Sequence, residues 1–79
     1  MTSLADLPHR SPARIKAFAP GCEHTLALMQ LGLVVGTRVE VIRQAPLGDP
    51  LEVDVTGARL ALRRAVASGV LVEVLGAAK

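Results

Sequence analysis

The sequence predicts a mainly β protein, a small five-stranded barrel or strongly bent sheet carrying one or two short helices. Two observations predict it. Polar and apolar residues alternate with period two in five separate short runs, the signature of half-buried strands. The breaks between runs are made of Pro, Gly, Asp and Thr-Gly pairs, each with a specific turn chemistry. At 79 residues the chain has room for one domain, spanning residues 1–79. A hydrophobic content of 51% against 20% charged residues excludes a disordered tail. Aromatic content is 1%, the single Phe18, so the interior must be built from Leu, Val, Ile, Ala and Met.

The first strand is read at residues 13–19, where Arg14, Ile15, Lys16, Ala17 and Phe18 alternate between Pro12 and Pro20. Pro20 and Gly21 break it. His24 to Leu31 then holds good helix formers with Thr25 as the only β-branched residue, a short helix ended by Gly32 at a position that calls for positive φ. Leu26, Met29 and Leu33 recur near helical spacing and are assigned to its packed face, leaving Leu28 and Leu31 off it. Two turns of helix cannot stand alone in water, so this one lies against the strands.

Four further runs follow, at residues 38–43, 51–55, 60–63 and 70–75. Pro46, Gly48, Asp49 and Pro50 bend the chain between the first two into a hairpin. Thr56 and Gly57 make the next turn, and residues 64–69 suit a single helical turn. Val39, Val41, Leu51, Val53, Val55, Leu60, Leu62, Val70, Val72 and Val74 are expected inside, and Arg38, Glu40, Glu52, Asp54, Arg63 and Glu73 outside. Ile42, Leu71 and Leu75 fall on the outward phase. A core this small is only marginally self-sufficient, and the lone Cys22 rules out an intramolecular disulfide, so self-association or a partner surface is expected.

No catalytic constellation is present. The two histidines, His9 and His24, sit beside no recognisable nucleophile, and Glu52 with Asp54 reads as a solvated strand face. The chain is read as a non-enzyme. Metal-ligand types crowd together once, at Cys22, Glu23 and His24. A tetrahedral site needs four donors, so metal there would require a second chain, and thiolate with imidazole would select zinc over ferrous iron. The ligand count favours a turn cysteine, a capping glutamate and a solvent-facing histidine. Arg59, Arg63 and Arg64 cluster after the Thr56-Gly57 turn, but Phe18 alone cannot build a base-stacking platform, and nucleic-acid binding is not expected. The N-terminus lacks a signal-peptide pattern and no segment has the apolar length of a bilayer span, which points to a cytoplasmic protein without membrane insertion.

Four segments together resemble the FeoA family of bacterial ferrous-iron uptake. They are Leu4, Ala5, Asp6, Leu7 and Pro8; Leu31, Gly32 and Leu33 with Gly36 and Val39; Ala45, Pro46, Leu47, Gly48, Asp49 and Pro50; and Leu62, Arg63 and Arg64 with Ala67, Val70 and Val72. The resemblance covers nearly the whole chain and implies an SH3-like barrel. It also implies an accessory role at the membrane iron transporter FeoB, met through that protein's cytosolic part, with the partner contacts expected at Leu28, Leu31, Leu33, Pro46, Leu47 and Asp49. The alternative it raises is an iron-linked regulatory domain similar to the C-terminal SH3-like domain of metal-dependent repressors. A homodimer fits either. The sequence departs from the family pattern at His9, at residues 23–27, at Val35, where Pro commonly precedes the turn glycine, and at Val66.

Overall fold

The computed structural model describes residues 2–20 and 24–75. Six strands, β1 (Thr2–Ser3), β2 (Ala13–Phe18), β3 (Arg38–Gln44), β4 (Leu51–Val55), β5 (Ala58–Leu62) and β6 (Val70–Val74), form one antiparallel sheet in the order β1-β6-β2-β3-β4-β5. A 3-10 turn (Leu4–Asp6) follows β1, helix α1 (Thr25–Gln30) lies between β2 and β3, and helix α2 (Arg64–Ala67) between β5 and β6. The mainly β class and both helices agree with expectation. The strand count is six rather than five, because β1 is only two residues, pairing Thr2 with Val72 and Ser3 with Leu71. A two-residue strand has no alternation to read.

One sheet buries this core by bending over itself, and two bulges supply the bend. In β2 the register against β6 slips between Ile15 and Ala17, and in β3 the register against β4 slips between Val41 and Arg43. Each inserts one residue, Lys16 and Ile42, and a bulge sharpens twist and curvature locally. The second also breaks the side-chain alternation. Ile42, expected outward, is half-buried, and Leu71 and Leu75 are half-buried as well, so none of the three forms an exposed apolar surface.

Every buried residue among those described is apolar. Val39, Val41, Leu51, Val53, Val55, Leu62, Val70 and Val72 are inside as the alternation requires, while Leu60 and Val74 are only partly covered. Phe18, the sole aromatic, packs at the margin of the core rather than in it. Leu4 and Leu7 are buried at the other end of the chain. They are brought in by the 3-10 turn, which the Ser3 hydroxyl opens with a hydrogen bond to Asp6 Oδ2 at 3.0 Å.

Turn geometry follows residue type. The β3–β4 loop closes with Gly48 N–H donating to Ala45 O at 2.7 Å and Ala45 N–H to Pro50 O at 3.0 Å. The β4–β5 hairpin turns on Thr56 and Gly57, both at positive φ, 49° and 93°, as a two-residue type I′ turn requires. Outer-face ion pairs link Lys16 to Glu73 and both Arg43 and Arg59 to Glu52, all exposed enough to contribute only tenths of a kcal/mol.

Candidate partner-binding surface

Helix α1 is too short to hold itself, so its placement is decided by its end. Leu31 is the C-cap, Gly32 follows at φ 100°, Gly32 N–H donates to Met29 O and Leu33 N–H to Leu28 O, each at 3.0 Å. This is a Schellman motif, and its characteristic apolar contact joins the residue after the glycine to the third residue from the helix end. Those residues are Leu33 and Leu28, both buried, at 0% and 3% exposure. The helix is pinned to the core through them.

Leu28 and Leu33 were expected at the partner surface, and the structure places them in the core instead. The helix is correspondingly rotated: Leu26 and Met29, assigned to the packed face, are exposed. Leu31 is exposed as expected. The chain then enters a turn in which Thr37 N–H donates to Val34 O at 3.0 Å and Gly36 adopts φ 94°, a type II arrangement that sets Val35 at its tip. Proline is favoured at that tip position, which in this chain is Val35. Leu26, Met29, Leu31, Val34 and Val35 are thus all exposed within one ten-residue stretch that the buried Leu28 and Leu33 anchor. Single exposed apolar residues are ordinary, and it is the presence of five in one stretch that singles this segment out as a candidate interaction surface. The sequence signal for this rotation was present in the spacing of Leu28, Gly32 and Leu33.

Two arginines border the surface. Arg14 and Arg38 face each other across the β2–β3 ladder, an arrangement that like charges disfavour. Arg14 Nη1 donates to Gly36 O at 2.9 Å, which ties it to the turn carrying Val35. Arg38 makes no ion pair among the described residues.

The remaining expected contact residues lie in the β3–β4 loop. Pro46 is exposed, and Leu47 at 97% exposure projects fully into solvent. Asp49 is exposed, but its carboxylate accepts the backbone N–H of Arg64 at 2.9 Å and so serves α2. Arg64, one of the three arginines clustered after the Thr56-Gly57 turn, sends its guanidinium to Gly48 O, Ala5 O and Gln44 Oε1.

For metal, Cys22 and Glu23 lie outside the described residues. His24 is exposed and forms the N-terminal boundary of α1, its carbonyl accepting Leu28 N–H at 2.9 Å. Among the described residues no group of three or more His, Cys, Asp and Glu could hold a metal ion, so they do not by themselves make a closed site. None of the described helices is long and apolar enough to cross a membrane.

The family model for the FeoA domain matches residues 2–74. The solution structure of FeoA from Chlorobium tepidum superposes with a TM-score of 0.87 at 38% identity, over 98% of this chain and 73% of that one. FeoA from Stenotrophomonas maltophilia, complexed with zinc and described as a procaryotic SH3 domain protein put forward as a ferrous iron transport activating factor, gives 0.79 at 30% identity, over 92% and 91%. The manganese regulator SloR gives 0.78 at 18% identity, over 92% of this chain and 34% of its own, a likeness of fold alone. Comparison with curated protein sequences found no match.

Proposed function

The chain belongs to the FeoA family, associated with ferrous iron transport, and from that premise we propose that it is a non-enzymatic accessory of ferrous iron uptake that docks on the cytosolic part of a FeoB-type transporter. One observation carries this reading. A chain of this size exposes five large apolar side chains in one stretch, from Leu26 to Val35, spread over α1, its C-cap and the turn that follows, and anchored by the buried Leu28 and Leu33. Leaving them in water forgoes about 25 cal/mol for each Å² of apolar surface, a loss that a partner surface would recover. Arg14 and Arg38 at the border favour a partner face whose apolar centre is flanked by carboxylates. Leu47, alone at the tip of the β3–β4 loop, offers a second contact.

The role belongs in the cytoplasm, where the transporter's soluble part lies, and it assigns the chain no intrinsic cofactor. Zinc binding of the kind the Stenotrophomonas protein shows would here need donors beyond His24. A regulatory reading, by analogy with metal-dependent repressors, rests on fold likeness only, and among the described residues the α-helices, of six and four residues, supply no recognition helix for a DNA groove. Titration of the chain against the cytosolic domain of its cognate transporter tests the proposal. Saturable binding that Leu31→Asp and Val35→Asp weaken supports it. Absence of binding, together with normal iron uptake in a strain lacking the chain, overturns it.

A further inference from the structure

The outer edge of the sheet at β5 has a defined hydrogen-bonding face. In a type I′ hairpin the residues flanking the turn form a hydrogen-bonded pair, here Val55 and Ala58. Alternation along an antiparallel ladder then makes Val53 with Leu60 and Leu51 with Leu62 bonded pairs, and Asp54 with Arg59 and Glu52 with Ala61 non-bonded ones. β5 ends the sheet and pairs only with β4. The N–H and C=O groups of Arg59 and Ala61 therefore point away from the sheet, and no backbone bond engages them among the described residues. Ala58, Arg59 and Ala61 are exposed. Natural sheets protect such edges with proline, bulges, covering segments or charged side chains; β5 has no proline or bulge, and its one charged residue is Arg59.

We propose that β5 is a homodimerisation edge, pairing antiparallel with β5 of a second copy about a two-fold axis at Leu60. In that register Arg59 of one copy faces Ala61 of the other, and each such pair exchanges both free backbone bonds, so two donors and two acceptors on each side are matched at once. Leu60, half-buried in the single chain, meets Leu60 of the second copy. The charges agree with this register. Ala61 lies beside Glu52 in the ladder, and its methyl group leaves the incoming Arg59 of the second copy a path to that carboxylate, which already attracts Arg43 and the chain's own Arg59. The two Arg59 side chains are not opposite each other, and Gly57, without a side chain, falls opposite Arg63, where space is needed. A different occupant, an extended segment of another protein, would use the same free groups but has no such built-in charge match. This edge uses none of the residues of the exposed apolar stretch from Leu26 to Val35, so the inference stands independently of the docking reading. A five-residue edge buries less than the roughly 1,200–2,000 Å² of a stable interface, so the dimer is expected to be concentration-dependent.

The test uses the full chain. Sedimentation equilibrium over rising concentration should show a monomer–dimer equilibrium, and amide exchange at Arg59 and Ala61 should slow with concentration while Ala58, Leu60 and Leu62 do not change. Ala61→Pro removes an outward donor without touching the β4–β5 ladder, a position where proline is tolerated, and should weaken association about tenfold or more while the melting transition persists. Arg59→Glu, which sets two carboxylates side by side across the interface, should act in the same direction and decides the matter if the proline variant does not fold. A monomer at every concentration overturns the proposal. So does a dimer that both variants leave unchanged, one whose Arg59 and Ala61 amides exchange as in the monomer, or one that Leu31→Asp abolishes.

Discussion

Asp49 caps a helix that begins fifteen residues further along the chain: its Oδ1 accepts the backbone N–H of Arg64 at 2.9 Å. Arg64 answers through its guanidinium, which reaches Gly48 O at 3.3 Å, Ala5 O at 3.0 Å and Gln44 Oε1. Helix α2 has no side-chain cap of its own, since the residue before it is Arg63. The pair therefore laces the β3–β4 loop, the start of α2 and the N-terminal 3-10 turn together at the place where the sheet does not close on itself.

Removing either partner should loosen all three elements. Asp49→Ala is expected to cost about 1 kcal/mol, the usual value of a lost N-terminal cap. Arg64→Met should cost about 1–2 kcal/mol, because its fork serves three acceptors in three segments. Arg64→Lys should not restore it, since a single ammonium cannot reproduce that fork. Urea unfolding of the two single variants and the double variant should reveal coupling of about 0.5 kcal/mol or more. Simple additivity would mean the two residues act separately.

Gly32→Ala isolates the backbone contribution to the placement of α1. A Cβ there would meet only Val55 Cγ1 at 4.0 Å, an ordinary contact, so space is not the obstacle. The obstacle is φ 100°, which alanine disfavours, and the expected cost is about 1–2 kcal/mol. Thermal unfolding measures it. A larger loss of order in α1 than in the sheet, seen as faster amide exchange at Leu31 and Leu33, is the expected local signature.

What sequence reasoning could reach depended on how local each signal was. The long strands, the Thr56-Gly57 turn and the positive φ at Gly32 each follow from residues within a few positions of one another. β1 and the buried pair Leu4 and Leu7 do not, because what makes them structural is contact with β6 and α2 at the far end of the chain. Arg64 has partners at residues 5, 44, 48 and 49, and nothing beside it in sequence announces them. Ile42 was misplaced because a bulge changes the phase that alternation relies on. The face of α1 was misassigned because fewer than two turns of helix carry too little periodicity to fix a rotation, and the deciding contact, Leu28 with Leu33, crosses the helix end.

Thr56 offers a stabilising change. It holds φ 49°, unfavourable for a β-branched residue, and its hydroxyl only donates to the adjacent Val55 carbonyl at 2.7 Å. Thr56→Asn supplies the Asn-Gly pair that type I′ turns prefer. It should add about 1 kcal/mol, a rise of roughly 4–8 °C in Tm for a chain of this length. An unchanged or lower Tm would show that the Thr56 hydroxyl contributes more than the strain costs.

The partition of α1 into an anchor and an outward face gives the sharpest test of the docking surface. Leu28→Asp would bury a charge in the core and unfold the chain, so lost binding in that variant carries no information about the surface. Leu28→Ala is the usable core variant, expected to cost about 2–5 kcal/mol of stability. Leu31→Asp lies outside the core and should change stability by no more than about 0.5 kcal/mol. Binding to the transporter's cytosolic domain should follow the opposite order. Leu31→Asp should weaken it about tenfold at unchanged Tm, whereas Leu28→Ala, measured at a temperature where it remains folded, should bind close to normally. If instead binding falls only in proportion to lost stability across such variants, the apolar face of α1 is not where the partner sits, and Leu47 on the β3–β4 loop becomes the contact to mutate next.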